Sequence, residues 1–365
     1  MTDPVFDIAI IGAGIAGASL AAAIGGRARI VLIEAESQPG YHSTGRSAAF
    51  WSETYGGPAV QPLTTASGPL LDRFLGPRGC VHIADAREGG EAALDALAAQ
   101  FAGSAPLVPL DRAALEAAIP GIAPAFTRGL SEPSCRDIDV AVLHAACLAG
   151  ARRAGARLIC DAAVTALARE GGGWRIETRA GLLAAAMVVN AAGAWASPVA
   201  ALAGAAPIAI TPHRRTIVQL VTDPAPSADL PLVMDGLGRF YFKPEAGGRL
   251  WLSPHDETAC PPHDVAPEEW DVALAIDRLE HVVDWRVMRR ERAWAGLRSF
   301  APDRVPIYGF DDRAAGFFWF AGQGGFGIQT APAAAAIGAA LLLGDALPES
   351  VAAIDPDRYR PARFG

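Results

Sequence analysis

The run Gly12-Ala13-Gly14-Ile15-Ala16-Gly17 constrains this chain more than any other feature. It follows a short apolar segment, Phe6 to Ile11, and opens an alanine-rich stretch from Gly14 to Ile24 of helical length. A second apolar segment, Arg29 to Ile33, ends in Glu34. Strand, glycine turn, helix and strand in that order predict a βαβ unit, the building block of a parallel sheet covered by helices. In a G-x-G-x-x-G turn the glycines permit a tight bend, a close approach of backbone to pyrophosphate, and close packing of helix on strand. The helix N-terminus then faces phosphate, and an acid about 20 residues further on accepts hydrogen bonds from ribose hydroxyls. Alone, the six residues are a weak signal and a strand-end acid is often merely solvated. In this context they predict a dinucleotide site built from Gly12, Gly14, Ile15, Ala16, Gly17 and Glu34.

NAD and FAD share this fingerprint, and two later segments favour FAD. The first, Gly40 to Ser47, places Ser43, Thr44, Arg46 and Ser47 just beyond the ribose acid, a set of hydroxyls and one guanidinium suited to a pyrophosphate. The other, Phe317 to Ile328, reads as apolar strand, glycine turn and helix, whose N-terminus would stabilise negative charge on a reduced flavin.

The rest of the chain divides by texture. Val140 to Ala154 has helical length; Arg157 to Cys160, Val164 to Ala168, Trp174 to Thr178 and Met187 to Asn190 read as strands of the N-terminal sheet system. Two intervening stretches are richer in proline, aromatics and charge and contain the alternating segments Thr216 to Val221, Arg239 to Lys243 and Leu250 to Ser253. The expected fold is therefore α/β plus α+β: a Rossmann-like FAD-binding domain (1–76, 140–206 and 297–365) with a mainly antiparallel-sheet substrate domain (77–139 and 207–296) inserted in it.

Composition excludes several partners. The 31 basic residues are scattered and the net charge is -8, which disfavours nucleic acid. The five cysteines show no C-x-x-C spacing, and none of the seven histidines has ligand-like spacing, so no metal is expected and each histidine reads as structural or solvated. Ile8 to Ile24 is preceded by Asp3 and Asp7 and broken by glycines, unlike a signal peptide. Phe326 to Leu343 contains Gln329 and Pro332 and reads as a buried helix, so no integral membrane segment is expected. The expected location is the cytoplasm, with peripheral membrane attachment as the variant.

Beyond the fingerprint, the segments Gln38 to Ala49, Val189 to Trp195, Trp294 to Phe300 and Gln323 to Gly325 occur in an order that resembles the D-amino-acid oxidase (DAO) superfamily of FAD enzymes, and among them the bacterial catabolic D-arginine dehydrogenases. The resemblance runs over nearly the whole chain. It implies oxidation of an amine carbon to an imine that hydrolyses to a 2-oxo acid and ammonia, with a quinone or oxygen as electron acceptor. It also implies cofactor contacts at Ala48, Val164, Ala192, Gly193, Trp195, Gly324, Gly325, Gly327 and Ile328. Arg215 and Arg298 take the positions that bind the substrate carboxylate, with Tyr55 and Tyr241 as hydroxyl donors and Gly325 near the reacting centre. Arg214 reads as a surface neighbour of Arg215. Arg298 stands in an apolar run, where an unpaired charge is costly. Relatives that hold FAD covalently use a cysteine in the C-terminal half; none follows Cys260, so non-covalent FAD is expected.

Two departures alter the expected substrate. Phe50 stands where the D-arginine enzymes carry a histidine, and Cys80 aligns with the glutamate that receives the guanidinium. A cationic side chain would then be buried without a partner, so a neutral D-amino acid is expected. Trp51 and Phe240 are available as apolar walls or as core. No general base is evident; a water held by Tyr55 or by backbone near Gly325 would take the ammonium proton. The arginine pair serves equally a secondary-amine oxidase of the sarcosine or glycine type and a 2-hydroxy-acid dehydrogenase. A non-catalytic flavoprotein, or a subunit of an electron-transfer complex, is the reading from another class.

Overall fold

The computed structural model describes residues 6–85 and 89–365; Asp3 lies outside them. Strand β1 (Phe6–Ile11), helix α1 (Ile15–Ile24) and strand β2 (Ile30–Ile33) form the βαβ unit. All four residues of β2 are buried, as expected for a parallel strand covered on both faces. The sheet continues on one side of β2 with Arg157–Ile159 and on the far side of β1 with Gly181–Asn190, all parallel. Gly181–Asn190 is longer than its apolar end suggests: its first half pairs antiparallel with Gly173–Thr178, and its last residues pair parallel with Phe317–Ala321. One face of the sheet packs on α1 and Ala331–Leu343 through Ile8, Ile10, Leu20, Phe318, Phe320 and Ile337. The other buries Trp174, Val188, Phe317 and Trp319.

A second, ten-stranded sheet is antiparallel except where Leu232–Asp235 runs parallel to Cys80–Ile83. Its spine is the pair Thr211–Asp223 and Arg286–Phe300, matched from Thr211↔Phe300 to Asp223↔Arg286 with register shifts at Gln219/Leu220 and Val221/Thr222. The helix Glu269–Val282 covers its apolar side, with Val272, Ala275 and Leu279 against Val218, Phe242 and Leu252. At its end, Arg286–Phe300 pairs with Gln323–Gly324, so the second sheet is stitched to the turn that follows Phe317–Ala321. The domain boundary we propose at 296/297 falls within this strand.

One local expectation is corrected. The helix after the glycine turn begins at Ala331, beyond the segment Phe317 to Ile328 in which it was expected to start. Gln323 and Gly324 are held as a strand, Gly324 takes a φ of +54°, and Pro332 sits in the first helical turn, where its missing N–H costs nothing. No helix among the described residues is long and apolar enough to cross a membrane.

The α1 turn is closed by contact. A Cβ on Gly17 would lie 1.9 Å from the Gly12 carbonyl oxygen, and one on Gly12 would lie 2.4 Å from that of Ala191. Both obstacles are backbone. Gly17→Ala is therefore expected to lower unfolding free energy by about 1–3 kcal/mol in urea titrations through overpacking; an unchanged midpoint would show that helix and strand are less tightly apposed.

Candidate active site

A cleft of about 470 Å³ opens where the two sheets meet, bounded by Glu34 and the first turn of α1 and reaching Arg298 and Gly325. Of the expected cofactor residues, only Gly17 does not line it: Gly12, Gly14, Ile15, Ala16, Glu34, Ser43, Thr44, Arg46, Ser47, Ala48, Val164, Ala192, Gly193, Trp195, Gly324, Gly325, Gly327 and Ile328 all do. The buried Glu34 carboxylate accepts from Ala13 N (2.9 Å) and Glu36 N (3.1 Å), which fixes its orientation and leaves lone pairs for hydroxyl donors. Thr44 Oγ1 accepts from Ile15 N at 3.0 Å, tying the hydroxyl-rich loop to the helix N-terminus.

Arg46 departs from the role expected of it. Its guanidinium bonds Asp264 and the carbonyls of Val265 (3.1 Å) and Ala295 (3.2 Å), so its donors are engaged with the protein. Ser43 likewise donates to Leu297 O (2.7 Å), and Ser47 Oγ accepts from Ala49 N. Arg46 and Ser43 clamp the loop against the second sheet, and Thr44 remains the hydroxyl beside the helix. A carboxylate at the ribose position, a helix N-terminus and a glycine-lined path between them fit FAD.

At the far end of the cleft, Arg298 is the pivotal group. Its Nη1 donates to Tyr55 Oη and its Nη2 approaches Tyr241 Oη at 3.5 Å. Among the described residues no carboxylate lies within ion-pair distance of it. Burial pulls its pKa down, but the two tyrosine oxygens and, more weakly, Glu257 outweigh this and the net shift is upward, so the guanidinium stays charged. Gly325 leaves room for it, since a Cβ there would lie 2.6 Å from Nη1. Tyr241 is buried and its pKa raised by that burial, so it remains a neutral hydroxyl.

Arg215 also reaches the cleft but is already paired, with Nη2 on Glu257 (2.9 Å) and Nε on Asp256 O (2.7 Å). Its Nη1 is buried without a partner. Burial and then Arg298 lower its pKa. Arg214 does not line the cleft, and its expected surface position is corrected: it is buried in a cluster with Glu268, Asp271 and Asp256. Strand alternation points the two arginines to opposite faces, and both faces are covered.

Behind Arg298 lies an apolar wall. Phe50, Cys80, Ile217, Met234 and Tyr241 pack together, with the Phe50 ring 5.0 Å from Tyr55 and 5.7 Å from Tyr241. Trp51 and Phe240 are core residues elsewhere, the former with Leu71 and Phe74, the latter with Val81 and Phe242. One carboxylate, Glu132, lies close to Cys80. Its oxygens are taken by Ser52 Oγ (2.9 Å), Glu53 N (2.6 Å), Thr54 Oγ1 (2.6 Å) and His82 Nε2 (3.2 Å). Against burial, these bonds hold its pKa below the usual range.

Three residues that sequence reasoning passed over therefore matter. Glu132 pins residues 52–54, while Gln329 bonds Ser52 N (3.2 Å), Ser52 O (3.2 Å) and Tyr55 O (3.0 Å), so two buried polar side chains set where Tyr55 sits. The third is His255, whose ring lies 6.3 Å from that of Tyr55 and 5.7 Å from that of Tyr241. Of the other histidines, His82 and His144 are buried and hydrogen-bonded, and His42 bonds Glu36 beside Trp195. His213, His263 and His281 bond only nearby carbonyls or their own helix. Cys80, His82 and Glu132 converge closely enough to suggest a metal, but the bonds that engage both Glu132 oxygens account for the cluster.

Residues 7–341 match the family described as FAD dependent oxidoreductase, and the chain belongs to that family. It is 28% identical over 251 residues to the mitochondrial dimethylglycine dehydrogenase of Mus musculus, a match covering 63% of this chain and 29% of that enzyme. The chain thus spans under a third of that relative's length. Its fold is shared with glycine oxidase from Geobacillus kaustophilus (TM-score 0.80, 24% identity, 93% of this chain and 95% of the other). It is shared too with L-alpha-glycerophosphate oxidase from Mycoplasma pneumoniae with FAD bound (TM-score 0.83, 16% identity, 93% and 95%). FAD is the cofactor of this chain.

No cysteine is among the residues lining the cleft. Acid precipitation is therefore expected to release the yellow colour into the supernatant; colour kept in the pellet would indicate a covalent link.

Proposed function

We propose that this family member oxidises the Cα–N bond of a small monocarboxylic amino acid with a neutral side chain, of D configuration, giving an imine that hydrolyses to the 2-oxo acid and ammonia. The observation that carries the reading is Arg298: a charged, largely buried guanidinium held only by phenol oxygens, whose missing counter-ion is a ligand carboxylate. Glu257 is shared by Arg215 and Arg304 and Arg298 has no carboxylate partner, so the site presents net positive charge to the ligand and suits a carboxylate. Arg215 Nη1 is the second donor for it.

FAD, which the residues lining the cleft from Glu34 to Gly325 would hold, would supply two-electron acceptor chemistry. The protein's part is to bind and orient. Arg298 with Tyr55 and Tyr241 fixes the carboxylate end, and the apolar wall of Phe50, Cys80 and Met234, packed behind the two tyrosines, offers the substituent no charged partner. The Glu132 carboxylate is unavailable to a cationic substituent, because hydroxyls, a backbone N–H and His82 already occupy it.

A second reading, a secondary amine such as an N-methylated glycine, is favoured by the likeness to dimethylglycine dehydrogenase and uses the same carboxylate clamp. The resemblance to D-arginine dehydrogenases supports the D configuration, while the apolar cluster behind the tyrosines argues for another side chain than theirs.

Anaerobic flavin bleaching across a panel of amino acids and N-methyl amines tests both readings. Neutral D-amino acids are expected to exceed D-arginine and D-lysine in kcat/KM by at least about tenfold, since burying an unpaired charge costs well over 1.4 kcal/mol. A preference for D-arginine would overturn the assignment of the wall.

A further inference from the structure

We propose that His255 holds the substrate's amine, offering Nε2 of a neutral imidazole as the hydrogen-bond acceptor for an amine N–H; the inference rests on the amine-oxidising reading above. His255 follows the strand Arg249–Ser253 and adopts a φ of +54°, a left-handed conformation costly for a residue with a Cβ. Ser253 Oγ, accepting from His255 N at 3.1 Å, supports that backbone. Nδ1 is bonded to Gly238 O, which can only accept, so Nδ1 carries the ring proton and Nε2 carries the lone pair. Nε2 has no hydrogen-bond partner among the described residues, while the ring packs against the same two tyrosines that hold Arg298.

The charges around the ring keep it in this form. Arg215, Arg298 and Arg304 act on it as cations. Asp256, next in the chain, is turned to Thr216 N (2.7 Å) and Oγ1 (3.0 Å), and Glu257 is taken by Arg215 and Arg304. Arg278 donates to the Pro254 and Arg239 carbonyls, and Tyr55 and Tyr241 present their rings. Burial, followed by Arg215 and Arg298, pushes the imidazole pKa down to about 2. The folded value lies far below that of a free histidine, so the ring is neutral throughout any working pH range and gains charge only in strong acid. Such a ring is too weak a base to take the proton of an ammonium group, but it accepts a hydrogen bond without adding a fourth positive charge. The proton lost by the amine goes to solvent, and His255 acts by position.

The consequence is a substrate class. Primary and secondary amines retain an N–H when neutral; a tertiary amine does not. The site is thus built for a primary or N-monoalkyl amine, in contrast to the N,N-dimethyl substrate in the name of the mitochondrial relative.

The test measures kcat/KM for anaerobic flavin reduction in FAD-loaded wild type, His255→Leu and His255→Gln, with one amino acid and its N-methyl and N,N-dimethyl derivatives. His255→Leu is expected to lower kcat/KM about 10- to 100-fold for the first two and to leave the third within about twofold, as removal of one hydrogen bond to a polar substrate group implies. His255→Gln, with an amide oxygen as acceptor, recovers part of the loss. The acid limb of the pH profile stays in place in both variants, because it follows the free amine and not His255. Equal losses on all three substrates, no loss on any, or an acid limb that moves with the substitution would overturn the inference while leaving the function intact. If no amine reduces the wild-type flavin, the functional reading fails, and this one falls with it before any variant is made.

Discussion

A guanidinium that is charged, mostly buried and without a carboxylate partner is the constraint around which this molecule is arranged. Taking Arg298 out of water costs several kcal/mol, and two phenol oxygens offset only part of that. Proteins seldom retain such a group unless something else completes it. Arg214, buried nearby, shows the contrast: its charge is balanced by Glu268, Asp271 and Asp256, although its Nε has no hydrogen-bond partner. Arg215 is intermediate, paired through Nη2 with Nη1 left over. Of the three, Arg298 is the one with no carboxylate within ion-pair distance among the described residues, which is why we propose it as the seat of a ligand carboxylate.

The fold delivers Arg298 by register. Arg286–Phe300 is anchored along its length to Thr211–Asp223, and its end pairs with Gln323–Gly324, so the guanidinium is presented at the seam between the two sheets beside Gly325. Gly325 is small enough to allow that approach. Tyr55 arrives from a different direction, on a turn whose hydroxyls and amides are gathered by Glu132 and Gln329. Gln329 lies just past the flavin-side glycines, so the cofactor turn and the tyrosine are fastened by one side chain.

Much of this was legible in the sequence where the signal is local. The βαβ unit could be read because its glycines and its apolar periodicity lie within one short window. Arg298 stood out for being a charge in an apolar run. The start of the last helix was misread although Pro332 marks it, because the glycine turn drew the assignment forward. What was not legible depends on partners far apart in the chain. Arg46 was assigned to phosphate because nothing in its vicinity announces Asp264, and Arg214 was placed at the surface because its acids come from the segment around Glu268 and Asp271. His255 looked like any isolated histidine until the turn at Gly238 fixed its tautomer and the tyrosines gathered beside it. Glu132 and Gln329 are ordinary polar residues in sequence, and they become structural hubs only once three strands and a helix converge.

The most direct measurement of the central claim is the affinity of FAD-loaded Arg298→Met for a simple carboxylate, read from perturbation of the flavin spectrum. Methionine keeps much of the side-chain volume and removes charge-assisted bonds worth about 1.5–3 kcal/mol each, so the dissociation constant is expected to rise about 10- to 100-fold with FAD content unchanged. A variant that binds the carboxylate as tightly as wild type, or that loses FAD while keeping ligand affinity on reconstitution, would place Arg298 in the cofactor site and contradict the account.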